Sequence, residues 1–597
     1  MGTIRLTTAQ ALVRYLTAQQ NGAGERLFHG VWAIFGHGNV AALGEALHVH
    51  RELLPTFRAH NEQAMGHAAI AFAKANRRRR MMACTSSIGP GASNMVTAAA
   101  VAHVNRLPVL FLPGDVFASR RPDPVLQQVE SFSDATVSVN DAFRPVSRYF
   151  DRITRPEQLL TALPRAMQVL TDPAECGPVT LSLCQDTQAE AFHWPETFFA
   201  IRVWHTRRPP PDALELAAAV AALRDARAPL IVAGGGVLYA EAEAALTRFA
   251  DRHGIPVTET QAGKGSLPDA HERNLGAIGV TGTAAANRAA EAADVVLAIG
   301  TRLQDFTTGS RALFRGRLIG LNVQSFDAGK HDALPLVADA CAGLDGLTAA
   351  LGQHGAPSAW TAETQAWRAA WLRDASAVTA AGNAALPSDA QVIGAVQRAA
   401  APGAVLVCAA GGLPGELHKL WRAEGPGTYH LEYGYSCMGY EIAGGLGVKM
   451  ADPSREVIVM VGDGSYLMLN SEIATSVTLG LKLTIVLLDN GGFGCINRLQ
   501  QATGGQAFNN LVPHGVDLRA HAEALGAIAE DAADLASLEA AVRRAHAVPR
   551  TTVIVIATDP AISTQAGGHW WDVAVPEISD RAEVRAARAA YERERRE

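Results

Sequence analysis

Polar residues that follow two apolar runs near residue 470 have the types and spacing of a metal or phosphate site. The run EVIVMV precedes Gly462, Asp463 and Gly464, and a second run, LKLTIVLL, precedes Asn490 and Gly492, so that Asp463 and Asn490 are 27 positions apart. Each run is typical of a buried strand, and the segment between them is typical of a helix. Residues just beyond two parallel neighbouring strands lie at one edge of the sheet, where open α/β sheets bind ligands. We therefore expect a carboxylate and an amide oxygen to face one pocket.

Oxygen ligands of this kind suit Mg²⁺, which takes few protein ligands and completes its octahedron with carbonyl groups, water and substrate phosphates. Glycines let the backbone approach a diphosphate and expose N–H groups to it. The alternative is a pair of ordinary strand-end turns, since Gly, Asp and Asn favour turns. For GDG alone the turn interpretation is preferred, and the paired spacing reverses that preference.

A second acidic residue, Glu62, begins a helical stretch rich in small residues, EQAMGHAAIAFAKA. General acid–base catalysis needs a buried carboxyl, whose affinity for protons is raised by desolvation. The alternative for an acid at a helix N-terminus is stabilisation of the helix dipole. Without the diphosphate motif, that alternative would be preferred.

The elements that position these residues recur three times along the chain. Short β-rich runs alternate with Ala-rich helical stretches, which is the pattern of parallel α/β sheets. We predict three doubly wound parallel-sheet domains, at 1–195, 196–370 and 371–560, and a tail at 561–597 that ends in a charged helix. The predicted strands are VWAIFG, MMACTSS, LPVLFLPGD, APLIVAGGG, ADVVLAIGTR, AVLVCAAGG, EVIVMV and LKLTIVLL.

Two spans are predicted as linkers. Residues 206–213 contain three consecutive prolines, which bar regular structure, and the span around 352–388 is polar and Ala-rich. In the tail, the segment HWWDV places two tryptophans where they could pin the final helix to the body of the protein.

Composition narrows the class of function. The 597 residues are 48% hydrophobic and carry a net charge of -6, which argues against a general nucleic-acid binder. We find no apolar run of membrane-spanning length and no signal-peptide core at the N-terminus, so we expect a cytosolic protein without a membrane partner. The seven cysteines are scattered and form no C-x-x-C pair, which supports neither a disulfide framework nor a zinc site.

The spaced GDG and Asn resemble the diphosphate-binding motif of thiamine-diphosphate enzymes, in which GDG is followed later by Asn-Asn; here Asp489 replaces the first Asn. The resemblance implies that Asp463, Asn490 and the Gly492 carbonyl bind Mg²⁺. It also places the Gly462 turn and the amides of Gly464, Ser465 and Phe493 near the diphosphate of the cofactor.

Other segments resemble the same family in order. Glu62 resembles the family's acid, which hydrogen-bonds the pyrimidine nitrogen and promotes loss of the thiazolium C2 proton, although Asn61 here separates it from His60. TSSIGPGASN resembles the family's Thr-Ser-Gly-Pro-Gly loop. YSCMGYEIAGGLGVKMA resembles its Met-Gly segment, which implies that Met438 supports the folded cofactor and that the Ser436 carbonyl accepts from the 4′-amino group.

The resemblance also implies an assembly. Glu62 and Asp463 lie in different predicted domains, and in this family the two halves of a site come from different subunits. We therefore expect a homodimer or homotetramer with active sites at subunit interfaces. The central domain would be a scaffold; its AGGG lacks the full G-x-G-x-x-G, and FAD, which some relatives bind there, is possible but not expected.

Within the acetolactate-synthase-like group, the whole chain resembles a hydrolase that opens a cyclic trihydroxy-dione to 5-deoxyglucuronate in myo-inositol catabolism. The segments that carry this resemblance are FGHGNVAALGEAL, AGGLPGELHKLW, INRLQQATGGQAFNN and HWWDV. His37 and Asn39 would then face the reactive carbon, the alternative being that a loop histidine is a hydrogen-bonded bystander. Two other functions stay open: an acetolactate-synthase-like carboligase or 2-keto acid decarboxylase, and a non-catalytic regulatory paralogue, which intact Glu62 and Asp463 disfavour.

Overall fold

The computed structural model describes residues 2–382, 386–512 and 515–596. These residues form three six-stranded parallel sheets flanked by helices, which confirms the predicted fold class. The chain separates into two compact units. The first contains the chain up to Arg207 together with Glu432–Ser454 and Leu469–Leu481, and the second contains Arg208–Leu431, Arg455–Met468 and the chain from Lys482 onward.

The first unit contains one large sheet and two small strand pairs. Its strands are β1 (Thr3–Thr7), β2 (Gln19–Asn21), β3 (Phe28–Ala33), β4 (Thr56–Phe57), β5 (Met81–Ser86), β6 (Leu110–Asp115), β7 (Tyr149–Ile153), β8 (Val179–Cys184), β9 (Ala191–Pro195) and β10 (Arg202–Trp204). The large sheet has the order β4-β3-β5-β6-β8-β7, whereas β1 pairs with β9 and β2 with β10. Every residue of β5, β6 and β8 is buried, as expected for parallel strands covered on both faces.

Helices connect these strands. They are α1 (Thr8–Thr17), α2 (Ala42–Val49), α3 (Glu62–Ala75), α4 (Pro90–Ser93), α5 (Val96–Asn105), α6 (Leu159–Thr171) and α7 (Gln185–Ala189). Helix α3 begins at Glu62 because Asn61 is extended and its side chain accepts a hydrogen bond from the Ala64 N–H, an N-cap that ends the preceding turn. The helix is buried from Ala64 to Ala73, so it is a core element rather than a surface one.

The second unit contains the other two sheets. In the central sheet, of order β13-β12-β11-β14-β15-β16, the strands are β11 (Pro229–Ala233), β12 (Val257–Glu259), β13 (Asn274–Ala277), β14 (Val295–Ile299), β15 (Arg317–Asn322) and β16 (Leu334–Val337). Its helices are α8 (Ala213–Asp225), α9 (Gly235–Tyr239), α10 (Glu243–His253), α11 (Ala284–Ala292), α12 (Asp305–Thr308), α13 (Ser325–Ala328), α14 (Ala340–Leu351) and α15 (Ser358–Val378).

The glycines that follow β11 are explained by packing. A Cβ on Gly234 would lie 2.5 Å from the Gly300 carbonyl oxygen, and one on Gly236 would lie 2.5 Å from the Gly300 Cα. Two backbone segments therefore meet here at a distance that side chains would not allow.

The first predicted linker is irregular, and α8 starts only at its last residue, Ala213. The second prediction, around 352–388, was wrong over most of its length, because α15 occupies Ser358–Val378. Trp360 and Trp371 of this helix are buried, and the Trp360 indole N–H donates to the Pro229 carbonyl at 2.9 Å. Burial of these two side chains holds a polar, Ala-rich segment as helix. Residues 383–385 of that span lie outside the described residues.

The third sheet has the order β18-β17-β19-β20-β22-β21, with strands β17 (Val405–Val407), β18 (Tyr429–His430), β19 (Val457–Gly462), β20 (Thr484–Asp489), β21 (Ile528–Ala532) and β22 (Thr552–Ala557). The last helices are α16 (Asp389–Ala399), α17 (Gly412–Leu420), α18 (Tyr440–Ala451), α19 (Asp463–Met468), α20 (Glu472–Leu479), α21 (Gly494–Ala502), α22 (Leu518–Ala524), α23 (Leu535–Ala547) and α24 (Ala582–Arg596). β19 and β20 are parallel neighbours, as predicted. The short helix α19 was not predicted.

The C-terminal tail packs on the second unit as predicted. Helix α24 is the predicted charged helix, and the Trp571 indole N–H donates to Asp305 Oδ2 at 3.0 Å. The Trp571 ring also lies edge-on to Phe306, with ring centroids 5.6 Å apart. No helix in the described part of the chain is long and apolar enough to cross a membrane.

Helices α18 and α20 belong to the first unit, although they follow β18 and β19 of the third sheet in the chain. A Cβ on Gly447 of α18 would lie 2.1 Å from the Ala68 carbonyl oxygen of α3, so the two helix backbones touch. A buried ion pair of 2.8 Å joins Lys74 of α3 to Glu432, which precedes α18 in the same segment of the first unit. The small residues of EIAGGLGVKMA are thus explained by close helix packing.

Candidate active site

A cavity of about 730 Å³ lies in the first unit beyond the carboxyl ends of β3 and β5. This volume is within the range of small-molecule sites. The polar residues of its lining are His37, Glu62, Ser87, Ser93, Asn94 and Gln127. The structure therefore brings together two of the predicted residues, His37 and Glu62, but Asn39 is not part of the lining.

Glu62 is held by a hydrogen bond from Asn94 and lies close to Gly91. Its Oε2 accepts a hydrogen bond from Asn94 Nδ2 at 2.8 Å, and a Cβ on Gly91 would lie 3.2 Å from its Oε1. The turn that leads into α3 is fixed separately, because the His60 backbone N–H donates to Glu472 Oε1 at 3.1 Å. Glu472 is buried, whereas His60 is exposed, so this hydrogen bond is partly buried.

The loop after β3 presents His37 at the surface of the cavity. A Cβ on Gly36 would lie 2.5 Å from the Ser87 side chain, so the loop approaches its neighbour at a glycine distance. Asn39 is buried and closes the loop: its Oδ1 accepts from the Gly36 N–H at 2.9 Å, and its Nδ2 donates to Thr85 Oγ1 at 3.1 Å. His37 itself is exposed.

Gln127 lines the cavity and was not predicted. It has φ 66°, which is uncommon for a residue other than glycine, and its carbonyl oxygen lies only 1.6 Å from the Cβ position of Gly89. The loop that carries Gln127 can therefore pack against the Gly-Pro-Gly turn only because residue 89 is a glycine. A glycine in that turn predicts close approach of some backbone, but the sequence does not indicate which loop approaches.

The Met-Gly segment also belongs to the first unit. Ser436 is exposed with φ 41°, Met438 is half-buried, and Gln63 Nε2 of α3 donates to Cys437 Sγ at 3.6 Å. Burial, and to a lesser degree the Glu441 carboxylate, raise the pKa of Cys437 to about 11, so the thiol stays protonated. Burial lowers the pKa of His67 to about 3, and its neutral ring packs against the Tyr440 ring, with centroids 5.2 Å apart.

The GDG and Asn-Gly-Gly turns meet in the second unit. Asp463 is fully buried, and the Asn490 backbone N–H points to its Oδ1 at 3.4 Å. One terminal atom of the Asn490 amide lies 3.3 Å from Asp463 Oδ1 and 2.9 Å from the Gly492 carbonyl oxygen. The structure thus brings the Asp463 carboxylate and the Asn490 amide together at this edge of the sheet.

This spacing fits a magnesium ion. With its nitrogen at that position, the Asn490 amide donates to both oxygens; with its oxygen there, three oxygens converge. In an octahedron with Mg–O distances of about 2.0–2.1 Å, neighbouring ligand oxygens are about 2.9 Å apart. Turning one amide group therefore converts a hydrogen-bonded turn into a set of three oxygen ligands.

The side chain of Asp489, which replaces the first Asn of the family motif, forms a hydrogen bond within its own turn. Its Oδ1 accepts a hydrogen bond from the Gly491 N–H at 3.1 Å. An asparagine side chain oxygen could make the same contact, so the departure preserves the turn.

Close packing explains two glycines of the GDG and Asn-Gly-Gly turns. A Cβ on Gly464 would lie 2.7 Å from the Phe493 ring, and one on Gly492 would lie 2.3 Å from the Asn510 carbonyl oxygen. The Phe493 N–H donates to the same Asn510 oxygen at 2.8 Å. The carbonyl of Gly492 is thus aimed at Asp463 and Asn490 by segment 510–512, and the sequence did not indicate this contact, although Asn510 ends the segment INRLQQATGGQAFNN.

We expect Gly492→Ala to weaken Mg²⁺-dependent binding of thiamine diphosphate by about tenfold or more, because Gly492 has φ 139° and no room for a Cβ. Gly491→Ala is the matched control, since Gly491 also has a positive φ of 77° but open space around its Cβ position. Isothermal titration calorimetry measures both affinities. Equal losses in the two variants would show that backbone strain, not contact with Asn510, controls the carbonyl.

Comparisons with known proteins agree with this geometry. Three family models match, described as the N-terminal TPP binding domain, the central domain and the C-terminal TPP binding domain of thiamine pyrophosphate enzymes, at residues 7–135, 216–347 and 409–556. The chain is 46% identical, over 98% of both chains, to a 3D-(3,5/4)-trihydroxycyclohexane-1,2-dione hydrolase of Geobacillus thermodenitrificans. It is 43% identical, again over 98% of both chains, to proteins of the same name from Bacillus cereus and Bacillus anthracis.

Proposed function

This chain belongs to the thiamine pyrophosphate enzyme family, and on that premise we propose that it hydrolyses a carbon–carbon bond of 3D-(3,5/4)-trihydroxycyclohexane-1,2-dione. The observation that carries the proposal is the 46% identity to a hydrolase of that name over 98% of both chains. The reaction consumes one water: the bond between the two ketone carbons breaks, one carbon gains oxygen and becomes a carboxylate, and the other gains a proton. The product is open-chain 5-deoxyglucuronate, an intermediate of inositol catabolism.

The second unit is proposed to hold Mg²⁺ and the diphosphate of the cofactor. Asp463, Asn490 and the Gly492 carbonyl would bind the ion, supported by the spacing of their oxygens. The Gly462 turn and the backbone amides of Gly464, Ser465 and Phe493 lie beside these ligands in the chain and are proposed to face the diphosphate.

The first unit is proposed to act on the pyrimidine and on the substrate. When bound, thiamine diphosphate supplies an electron sink next to a carbonyl group. Glu62 would hold and release a proton at its carboxylate beside the pyrimidine ring, and the Ser436 carbonyl and the Met438 side chain would help to hold the ring. His37, exposed at the cavity, polarises a substrate carbonyl or moves a proton, and the contacts of Asn39 support a role in holding the His37 loop.

A complete site needs both halves, and we propose that a second copy of the chain supplies the complementary half, in a homodimer or homotetramer. Exposed apolar side chains occur in chain segments near each half-site, as expected for a surface that another protein covers. In the first unit they include Phe35, Leu126 and Phe132; in the second they include Met468, Ile496 and Phe508.

The test is to supply the purified protein with Mg²⁺, thiamine diphosphate and the cyclic dione, and to follow ring opening, with pyruvate as the parallel substrate. We expect release of the open-chain acid from the dione and no acetolactate from pyruvate. Acetolactate formation without turnover of the dione would instead identify a carboligase. Failure to bind thiamine diphosphate and Mg²⁺ would identify a non-catalytic paralogue.

A further inference from the structure

The hydrogen bond between Asn94 and Glu62 leaves the two oxygens of the Glu62 carboxylate in different situations. Oε2 accepts from Asn94 Nδ2 at 2.8 Å, whereas Oε1 is the atom nearest to the Cβ position of Gly91, at 3.2 Å. Both Asn94 and Gly91 line the cavity together with Glu62. One oxygen is therefore bound by the protein and the other is directed along the Gly-Pro-Gly turn.

The backbone of Asn94 is well fixed. It is the C-cap of α4, and its N–H donates to the Pro90 carbonyl at 3.0 Å. Helix α5 begins two residues later, at Val96, and is buried over Ala98–Ala102. An amide on so short and fixed a turn has little freedom to follow a carboxylate, so the amide determines where the carboxylate lies.

We propose that Asn94 is the positioning residue of Glu62: it binds Oε2 and thereby presents Oε1 as the oxygen that exchanges a proton with the cofactor. This inference rests on the proposed function. An amide N–H donates and cannot accept, so its partner oxygen must accept, and the proton is confined to Oε1. The same donor stabilises the carboxylate that is left after the proton has moved to the pyrimidine nitrogen.

Other titratable groups near Glu62 lie on different elements. His37 shares the cavity from the loop after β3, and Glu472 of α20 binds the His60 backbone N–H. Cys437 contacts Gln63 and is protonated. In the described part of the chain the side chains of Glu472 and Cys437 bind other groups, whereas Asn94 donates directly to the Glu62 carboxylate, so Asn94 is the side chain through which the orientation of Glu62 can be tested.

Two substitutions test the proposal. Asn94→Ala removes the donor, and Asn94→Asp replaces it with an acceptor of nearly the same shape that repels the Glu62 carboxylate. We expect C2 deuterium exchange in bound thiamine diphosphate to fall about 10- to 100-fold in both variants, with the affinity for the cofactor changed by less than about threefold. Asn105→Ala is the matched control, because the Asn105 amide donates to the Val101 carbonyl at 3.0 Å, outside the cavity lining; it should exchange as the wild type does.

A readout without cofactor comes from crystal structures of the cofactor-free variants. We expect the Glu62 carboxylate to leave its single position in Asn94→Ala and to turn away from residue 94 in Asn94→Asp. An unchanged carboxylate position, or exchange within twofold of the wild type in both variants, would overturn the proposal.

A double variant in which residues 62 and 94 exchange acid and amide distinguishes the position of the acid from the stability that the hydrogen bond provides. The double variant Glu62→Gln with Asn94→Asp restores a donor–acceptor pair but moves the acid to residue 94. We expect it to recover the melting temperature lost in Asn94→Asp and not to recover exchange; recovery of both would show that only the hydrogen bond matters. The proposed function fails if the wild type does not bind the cofactor, or if C2 deuterium exchange is normal in Glu62→Gln. The role of Asn94 is then still decided by the position of the Glu62 carboxylate in the cofactor-free variants.

Discussion

Glu62→Gln is expected to slow C2 deuterium exchange in bound thiamine diphosphate by about 10²- to 10⁴-fold, the range of a general acid–base contribution. Glutamine keeps the length of the side chain, and its oxygen can still accept from Asn94 Nδ2, which lies 2.8 Å from Glu62 Oε2. It cannot release a proton to the pyrimidine ring. Quenched-flow NMR of the released cofactor measures the exchange rate.

The affinity for the cofactor is the control for this variant. The proposed Mg²⁺ ligands Asp463, Asn490 and Gly492 belong to the other unit, so calorimetry should give a dissociation constant within about threefold of the wild-type value. Normal exchange in Glu62→Gln, with the cofactor bound, would show that Glu62 is not the acid.

Asp463→Ala is expected to show the reverse behaviour, losing the cofactor before any later step. Asp463 is the only carboxylate among the three proposed ligands, and it is fully buried. Its removal takes away the charge that would balance the ion and leaves the Asn490 amide without its partner. We expect the affinity for thiamine diphosphate at fixed Mg²⁺ to fall at least about 100-fold, measured by calorimetry and by the loss of bound Mn²⁺ in paramagnetic resonance.

Asp489→Asn is the matched control, because Asp489 directly precedes the proposed ligand Asn490. The Asp489 carboxylate accepts from the Gly491 N–H, a contact that the asparagine oxygen can keep. This variant should bind cofactor and metal nearly as the wild type does. If Asp489→Asn lost the metal and Asp463→Ala kept it, the ligand assignment would be reversed.

Mixing the two inactive chains tests how the halves combine. If each site uses Glu62 from one copy and Asp463 from another, a heterodimer of Glu62→Gln and Asp463→Ala contains one intact site. Co-expression and purification with two different tags should then yield about half of the wild-type turnover per dimer. A heterodimer as inactive as its parents would show that each chain forms its site alone.

The sequence predicted those site residues that directly follow strands. Asp463 and Asn490 come after β19 and β20, and His37 comes after β3. The carboxyl ends of parallel strands meet at one edge of a sheet, so a strand pattern together with a polar residue just beyond it predicts position without knowledge of packing. Glu62 was predicted differently, because an acid at the start of a helix is ambiguous and its role came from the resemblance to the family.

Residues held by distant contacts were not predicted. Asn94 was inside a quoted motif, but its bond to Glu62 depends on how the turn at 89–94 meets α3. Gln127 stands in a loop without a motif, and its place depends on Gly89. Sequence separation carries no information about such contacts, because they form only when loops from different strands pack together.

The sequence by itself determined the three parallel α/β domains, eight of their strands and the polar residues that follow β19 and β20, because periodicity and turn residues are local properties of a chain. Only the tertiary structure decided that α18 and α20 join the first unit, that segment 510–512 aims the Gly492 carbonyl, and that Asn94 binds one oxygen of Glu62. These features depend on close packing, in which the absence of a single Cβ, as at Gly447 or Gly492, permits two backbones to touch.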